Sequence, residues 1–320
     1  MSAHLIPVRI AASDAIARGV RRYVLRPLDG DPPLPLFEAG AHVDLHLTNG
    51  VIRQYSLLNG PNTVDRYEIA VLRDAAGRGG SAFVHDNLAV GDVVEIGAPR
   101  CHFRLDESAR YSVLIAGGIG VTPIWCMAQR LSAIGRAWEV HYAARTRDHA
   151  ALLYEIEDGA RAAGGLIATY FNEDGDPLMD LPAIVASAPE GTHFYCCGPL
   201  GLLDAFRTAC AVRPVENIHF EQFTAAEPAA RDGGYSVELA RSGQQIDVAP
   251  GQSILDALAA AGRHVAYSCR EGVCGSCETT VLAGTPDHRD ALLTDEERAA
   301  GRTMMICCSG SLSARLVLDL

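Results

Sequence analysis

Up to about Leu105 the chain runs in short β-rich stretches of apolar and polar residues separated by turn residues: "HVDLHLTNG", "RYEIAVLRD" and "GDVVEIGAP". Short strands at this spacing predict an antiparallel barrel or sandwich. From Tyr111 the pattern changes. "YSVLIAGG" reads as a buried strand, and "TPIWCMAQRLSAIG" as the helix after it, with Thr122 at the cap and Pro123 in the first turn. The strand "WEVHYAART", the helix "ALLYEIEDGARAAG", the strand "LIATYFNED", the strand "THFYCCGP" and the helix "LGLLDAFRTACAV" follow. Strands alternating with helices predict a parallel sheet covered on both faces. "TAAEPAARDGG", Thr224 to Gly234, is small, polar and turn-prone, and reads as a linker. Beyond it lie a hairpin ("YSVELARSGQQIDVAPG"), a short helix ("SILDALAAAG"), a strand ("ETTVLAG") and the closing "TMMICCSGSLSARLVLDL". The expected domains are 1–106, 107–226 and 227–320, a multidomain combination of α+β and α/β parts.

Composition narrows the classes. The chain has 320 residues, 48 % of them hydrophobic and 21 % charged, as expected of folded globular domains. A net charge of −12 argues against a general affinity for nucleic acid or anionic membrane. All 27 basic residues are arginine, so anionic groups must be held by Arg, His or backbone N–H. "MSAHLIPVRI" lacks the basic and apolar regions of a signal peptide. The longest uncharged apolar run, Val113 to Ala128, is short for a membrane span and is broken by three glycines and a proline. A soluble, cytoplasmic protein is expected, in which the ten cysteines are reduced thiols or metal ligands.

Cys269, Cys274 and Cys277 are spaced C-x4-C-x2-C, and a further cysteine pair, Cys307–Cys308, follows thirty positions later. This spacing suits four thiolates around a plant-type [2Fe–2S] centre. Gly272 and Gly275 allow the positive φ with which a loop wraps such a centre and turns its N–H groups toward the sulfurs. Structural zinc sites more often join two short pairs, and a redox Cys274–Cys277 dithiol would leave Cys269 unexplained. Spacing alone leaves the choice between Cys307 and Cys308 open.

Three further stretches carry possible cofactor chemistry. In "RQYSLLNGP" the Arg53 guanidinium suits a phosphate, and Tyr55 beside Ser56 suits a flat, hydrogen-bonding ring. "GRGGS", ending in Gly80 and Ser81, opens a helix whose first N–H groups suit a phosphate. "GGIGVTP" places Gly118, Gly120 and Thr122 between a strand and a helix, where the chain can approach a pyrophosphate closely. It departs from the G-x-G-x-x-G fingerprint in ending on proline, so a tight strand–helix turn is the plainer alternative.

The final ninety residues resemble the ferredoxin domain of the phthalate dioxygenase reductase and vanillate O-demethylase oxidoreductase family, and the four motifs follow that family's order over nearly the whole chain. The resemblance implies an antiparallel β-barrel flavin domain, a parallel-sheet α/β NAD domain and a C-terminal β-grasp plant-type ferredoxin domain. It implies Cys307, first in a C-x-S triplet, as the fourth cluster ligand with Cys269, Cys274 and Cys277. It further implies that Arg53 holds the phosphate of FMN, that Tyr55 and Ser56 lie along the isoalloxazine, and that Ala70, Val71, Gly80 and Ser81 line the flavin. Gly118, Gly120 and Thr122 would meet NADH with Cys197 and Gly198 of a C-G-P triplet, Cys197 near the nicotinamide. Arg145 would contact the adenosine half, and Phe223 would cover the flavin. NADH is favoured over NADPH because Asp148 beside Arg145 and Arg147 would oppose a 2′-phosphate.

The activity so implied is hydride transfer from NADH to FMN, then single electrons through the [2Fe–2S] cluster to a Rieske-type terminal oxygenase, from a monomer. Alternatives are a stand-alone NADH oxidase or ferric reductase, and a non-enzymatic iron–sulfur or zinc sensor module.

Overall fold

A computed structural model describes residues 5–75, 77–224 and 228–320. They form two compact units, divided between Glu221 and Gln222.

The first unit begins with β1 (Ile6–Ala17), β2 (Val20–Pro27), β3 (His42–His46), β4 (Ile52–Ser56), β5 (Tyr67–Leu72), α1 (Gly80–Asn87) and β6 (Val93–Ile96). The six strands form one antiparallel sheet in the order β4-β3-β6-β1-β2-β5. The long β1–β2 hairpin carries register shifts at Ile10/Ala12 and Ala15/Ala17, which break its period of two and hide it from the sequence pattern. The sheet curls so that its end strands β4 and β5 meet. Just past β4, Leu58 N donates to Glu68 O (3.0 Å) and Glu68 N donates to Asn59 Oδ1 (2.8 Å), closing one end of the barrel. At the other end α1 packs against both β4 and β5. It is tied down by Tyr23 OH donating to Val84 O (3.1 Å) and by His85 Nε2 donating to Val71 O (2.8 Å).

The same unit continues with β7 (Tyr111–Gly117), α2 (Val121–Ala133), β8 (Ala137–Ala144), α3 (Leu153–Ala163), β9 (Leu166–Phe171), α4 (Leu181–Ser187), β10 (His193–Cys197), α5 (Leu200–Cys210) and β11 (Ile218–Glu221). All five strands are parallel, in the order β11-β10-β7-β8-β9. Trp138, Val140 and Tyr142 pack toward α2 and α3 on one face. Val113, Ile115, Phe194 and Cys196 pack toward α4 and α5 on the other. Toward β8 and β9 that second face is polar: Tyr111 OH donates to Glu139 (3.0 Å), and His141 Nδ1 lies 3.0 Å from Tyr170 OH. The sheet is therefore covered fully on one face and partly on the other. Gln129 Nε2 of α2 donates to Leu58 O (2.7 Å) and Cys126 Sγ to Asn59 O (3.2 Å), which joins the barrel to the parallel sheet. No helix of the described residues is long and apolar enough to cross a membrane.

The second unit contains β12 (Tyr235–Leu239), β13 (Gln244–Val248), α6 (Ile254–Ala260), β14 (Glu278–Ala283), β15 (Pro286–Asp287), α7 (Asp295–Ala300), β16 (Thr303–Met305), β17 (Gly310–Ser311) and β18 (Arg315–Leu318). Its main sheet runs β13-β12-β18-β14-β16, with β12 and β18 parallel and the other pairs antiparallel. Ile254, Leu255 and Leu258 of α6 pack into the same core as Val237, Val248 and Leu316, giving a mixed sheet that grasps one helix. Ser253 caps α6 reciprocally with Asp256, as a capping box. Part of the expected linker, residues 225–227, lies outside the described residues. Its later part is tied to this unit, because Ala230 N donates to Cys308 O (2.7 Å) and Gly251 N to Arg231 O (2.8 Å).

Candidate functional site

Three groups of residues stand apart by their chemistry. The first lies at the barrel seam. Arg53, Tyr55 and Ser56 come from β4, Ala70 and Val71 from β5, and Gly80 and Ser81 open α1. The Arg53 side chain lies directly across Gly80: a Cβ there would stand 2.3 Å from Nε and 2.8 Å from Cζ. Arg53 Nη2 donates to Arg78 O (3.3 Å), which holds the guanidinium beside the helix start. Gly79 precedes α1 at φ 77°, no side chain caps the helix, and its first turn holds no acidic residue. The first N–H groups and the guanidinium thus form one cationic corner suited to a phosphate. Ser81 Oγ accepts from Asp74 N (3.0 Å). The Tyr55 hydroxyl is buried without a partner among the described residues, and burial pushes its pKa upward. An orphaned hydroxyl beside such a corner fits a bound flat ring with polar edges and a phosphate tail.

The second group joins two strand ends of the parallel sheet. β7 ends at Gly117, Gly118 turns at φ 53°, and a single 3-10 turn over Gly118–Gly120 leads into α2. A Cβ on Gly120 would fall 2.2 Å from Cys197 O and 2.8 Å from Gly198 N, and one on Gly198 would fall 3.0 Å from Gly117 Cα. The G-x-G turn and the C-G-P turn are therefore in backbone-to-backbone contact, which only glycine allows. Thr122 departs from expectation. Gly120 is the helix cap, and Thr122 is buried inside the first turn, its Oγ1 donating to Ile119 O (3.1 Å). A preceding 3-10 turn of glycines moves the start of the helix upstream of the threonine. Arg145 is exposed just past β8 and has no side-chain partner among the described residues. Arg147 is engaged, with Nη2 at 3.1 Å from Glu157 and its guanidinium over Phe171. Phe223 follows β11 and is 36 % exposed.

Sequence reasoning passed over Glu221, the last residue of β11, although "HFEQF" contains it. Glu221 pairs in register with Cys197. Its Oε2 is enclosed without a partner among the described residues, and burial raises the carboxyl to about 8. Burial, then the nearby Glu221, pushes the Cys197 thiol up as well. The available signal was a single acidic residue ending a strand beside a motif strand.

The third group lies in the second unit. Cys269, Cys274, Cys277 and Cys307 are all buried. Their thiols pair within hydrogen-bonding reach, Cys269 with Cys274 and Cys277 with Cys307, and Cys269 also reaches Cys307. The loop turns through positive φ at Arg270, Gly272 and Gly275 (59°, 72° and 69°), and Glu271 N donates to Cys269 Sγ at 3.3 Å. A Cβ on Gly272 would lie 2.4 Å from Cys308 Sγ, so Cys308 packs beneath the loop, its thiol donating to Met305 O (3.6 Å). Contact with Cys269 and burial push the Cys274 thiol up, and contact with Cys307 and burial do the same to Cys277. Four enclosed thiols gathered at one site need a cationic centre to become thiolates. Two pairs of sulfurs fit a two-iron centre, each iron taking two.

Residues 237–310 match the 2Fe-2S iron-sulfur cluster binding domain family. The chain is 55 % identical over 284 residues to phenoxybenzoate dioxygenase subunit beta of Ectopseudomonas oleovorans, covering 89 % of this chain and 88 % of that protein. It is 43 % identical over 322 residues to vanillate O-demethylase oxidoreductase of Pseudomonas sp. (strain HR199 / DSM 7063), covering 99 % of this chain and all of that protein. Among solved structures it matches phthalate dioxygenase reductase, described as modular for electron transfer from pyridine nucleotides to [2Fe–2S]. That match has 39 % identity and a TM-score of 0.76, over 99 % of this chain and 98 % of the other. It also matches an intact type IV self-sufficient cytochrome P450 monooxygenase at a TM-score of 0.86 and 39 % identity, covering 99 % of this chain but only 41 % of the longer one. A barrel, a parallel sheet and a C-terminal [2Fe–2S] domain in this order, with identities of this size over nearly the whole length, show that the chain belongs to the phthalate dioxygenase reductase and vanillate O-demethylase oxidoreductase family.

Proposed function

We propose that this chain is the reductase component of a two-component Rieske-type oxygenase system, working as a cytoplasmic monomer on NADH, with its tasks divided among residues 1–106, 107–226 and 227–320. The observation that carries the reading is the pairing of four buried cysteine thiols in one unit, while the other holds a phosphate corner and a glycine-built turn.

Arg53 and the start of α1, at Gly80 and Ser81, hold the FMN phosphate. Tyr55, Ser56, Ala70 and Val71 line its ring, and the Tyr55 hydroxyl supplies a buried hydrogen-bonding group. Gly118, Gly120 and Gly198 let NADH approach the backbone. Thr122 steadies that turn through Ile119 O. Arg145 meets the adenosine half. Arg147 is already paired with Glu157, and Asp174 accepts from its backbone N–H (2.7 Å), which supports NADH over NADPH. Cys197 lies by the nicotinamide, and Phe223 covers the flavin until NADH arrives. Bound FMN would supply the two-electron to one-electron conversion, and Cys269, Cys274, Cys277 and Cys307 would hold the cluster that relays single electrons. The chain's own part is to align the reactants and exclude water, so no acid–base dyad is needed for the hydride step. The net charge of −12 supports a partner other than nucleic acid.

The test uses Cys274→Ala in the full chain, with NADH and a purified Rieske-type oxygenase of the phenoxybenzoate class. The variant keeps NADH bleaching of the flavin bands and loses electron delivery to the oxygenase. Loss of flavin bleaching in a folded variant contradicts this division of roles.

A further inference from the structure

We infer that His42 and His102 form the route by which a proton leaves the flavin site, a role that rests on the function proposed above. The demand follows from balance. NADH gives up a hydride, which is two electrons and one proton, and NAD+ departs. The two electrons leave singly through the cluster to two one-electron acceptors. One proton per NADH is then left in a site built to exclude water, and it must reach solvent.

His42 stands next to the flavin motif. On β3 it pairs with Ser56 of β4. Both backbone groups of His42 turn the other way: its N–H donates to Arg100 O (2.8 Å) and its carbonyl accepts from Arg100 N (3.0 Å). His42 and Ser56 are therefore a non-hydrogen-bonded antiparallel pair, the kind whose Cα atoms approach to about 4.5 Å and whose side chains lie closest. Both project from the same face. His42 is only 5 % exposed, and its Nε2 is enclosed without a partner among the described residues. A buried ring nitrogen left unpaired in a β-sheet needs a reason.

The ring continues outward. It stacks on His102 with centroids 5.6 Å apart and planes inclined by 27°. His102 is exposed, so the stacked pair leads from the buried His42 to solvent. The charged groups facing His42 are Arg100 and Asp44, which pair with each other at 2.8 Å. Burial first, then Arg100 and His102, lower the His42 pKa to about 4, against an opposing pull from Asp44. The ring is thus neutral near neutral pH. A neutral imidazole takes a proton on one nitrogen and gives one up from the other, so it passes protons without storing them. The His102 ring, 5.6 Å away centre to centre, is the next base along this route.

The experiment uses the holoprotein with cytochrome c as acceptor, in weak buffer with a pH-indicator dye. The balanced reaction turns one NADH and two ferric cytochromes into NAD+, two ferrous cytochromes and one proton. His102→Ala, at an exposed position, keeps the wild-type FMN dissociation constant and the wild-type rate of flavin bleaching by NADH. Its proton release slows about tenfold or more, with a larger solvent deuterium isotope effect, and added imidazole restores the rate. His42→Asn slows release similarly, without rescue. Wild-type release in both variants with no effect of imidazole overturns the route. So does slow release confined to Glu221→Gln, which would send the proton past Cys197 instead. Failure of NADH to bleach the flavin in the wild type overturns the proposed function itself.

Discussion

Gly120 and Cys197 touch through their backbones: a Cβ on the glycine would stand 2.2 Å from the cysteine's carbonyl oxygen. The start of α2 and the end of β10 are locked at that point, and neither can yield without moving a strand. Gly120→Ala is expected to cost about 1–3 kcal/mol of stability, as overpacking does, and to raise the NADH concentration needed for half-maximal flavin bleaching. Iron content should stay unchanged, because the cysteine loop belongs to the other unit. Thermal unfolding and rapid-mixing absorbance read both effects.

Gly80 plays the matching part at the barrel seam. Gly80→Ala drives a methyl into the Arg53 guanidinium, 2.3 Å from Nε, and swings it off the helix start. FMN affinity should fall by about tenfold, the worth of roughly one charge-assisted hydrogen bond. Titration of apoprotein with FMN by fluorescence measures it, and an unchanged dissociation constant would remove Arg53 from the phosphate site.

Glu221 predicts a pH dependence of stability. Its carboxyl titrates near the ordinary 4.5 in the unfolded chain and about 8 in the folded protein. Between these values the folded state keeps a proton that the unfolded chain has released. Stability is therefore full below about 4.5 and falls as pH rises toward 8, by up to about 1.4 kcal/mol per pH unit. Glu221→Gln removes the dependence, so the variant's advantage in Tm should grow from about pH 6 to about pH 8. Parallel curves for the two proteins would show that the carboxyl is not held protonated.

The adjacent cysteines separate cleanly. Cys307→Ser is expected to lose most of the cluster, whereas Cys308→Ser, whose thiol faces Met305 O and Gly272, should retain it. Iron and sulfide content together with the visible spectrum distinguish the two, and equal loss in both variants would contradict the assignment.

Much of this was legible in the chain itself. The stretch "HVDLHL" alternates and "YEIAVL" is rich in β-formers between turn residues, and both form strands. The turns at Gly272 and Gly275 take the positive φ that their glycines suggested. What escaped had physical reasons. The β1–β2 hairpin hides behind bulges that break its period. α4 and α7 are only 7 and 6 residues long, too short for a helical repeat to declare itself. Arg270 adopts φ 59° without being glycine, which composition cannot foretell. Glu221 and His42 matter through their cross-strand neighbours Cys197 and Ser56, and register is a property of the folded sheet.

The central claim is that one polypeptide joins NADH, flavin and a two-iron centre in a single electron path. Anaerobic addition of NADH to fully loaded protein, followed by low-temperature EPR, tests it most directly. The account predicts bleached flavin absorbance together with a rhombic signal from the reduced cluster, absent in Cys274→Ala. Bleached flavin with an EPR-silent cluster in the wild type would contradict it.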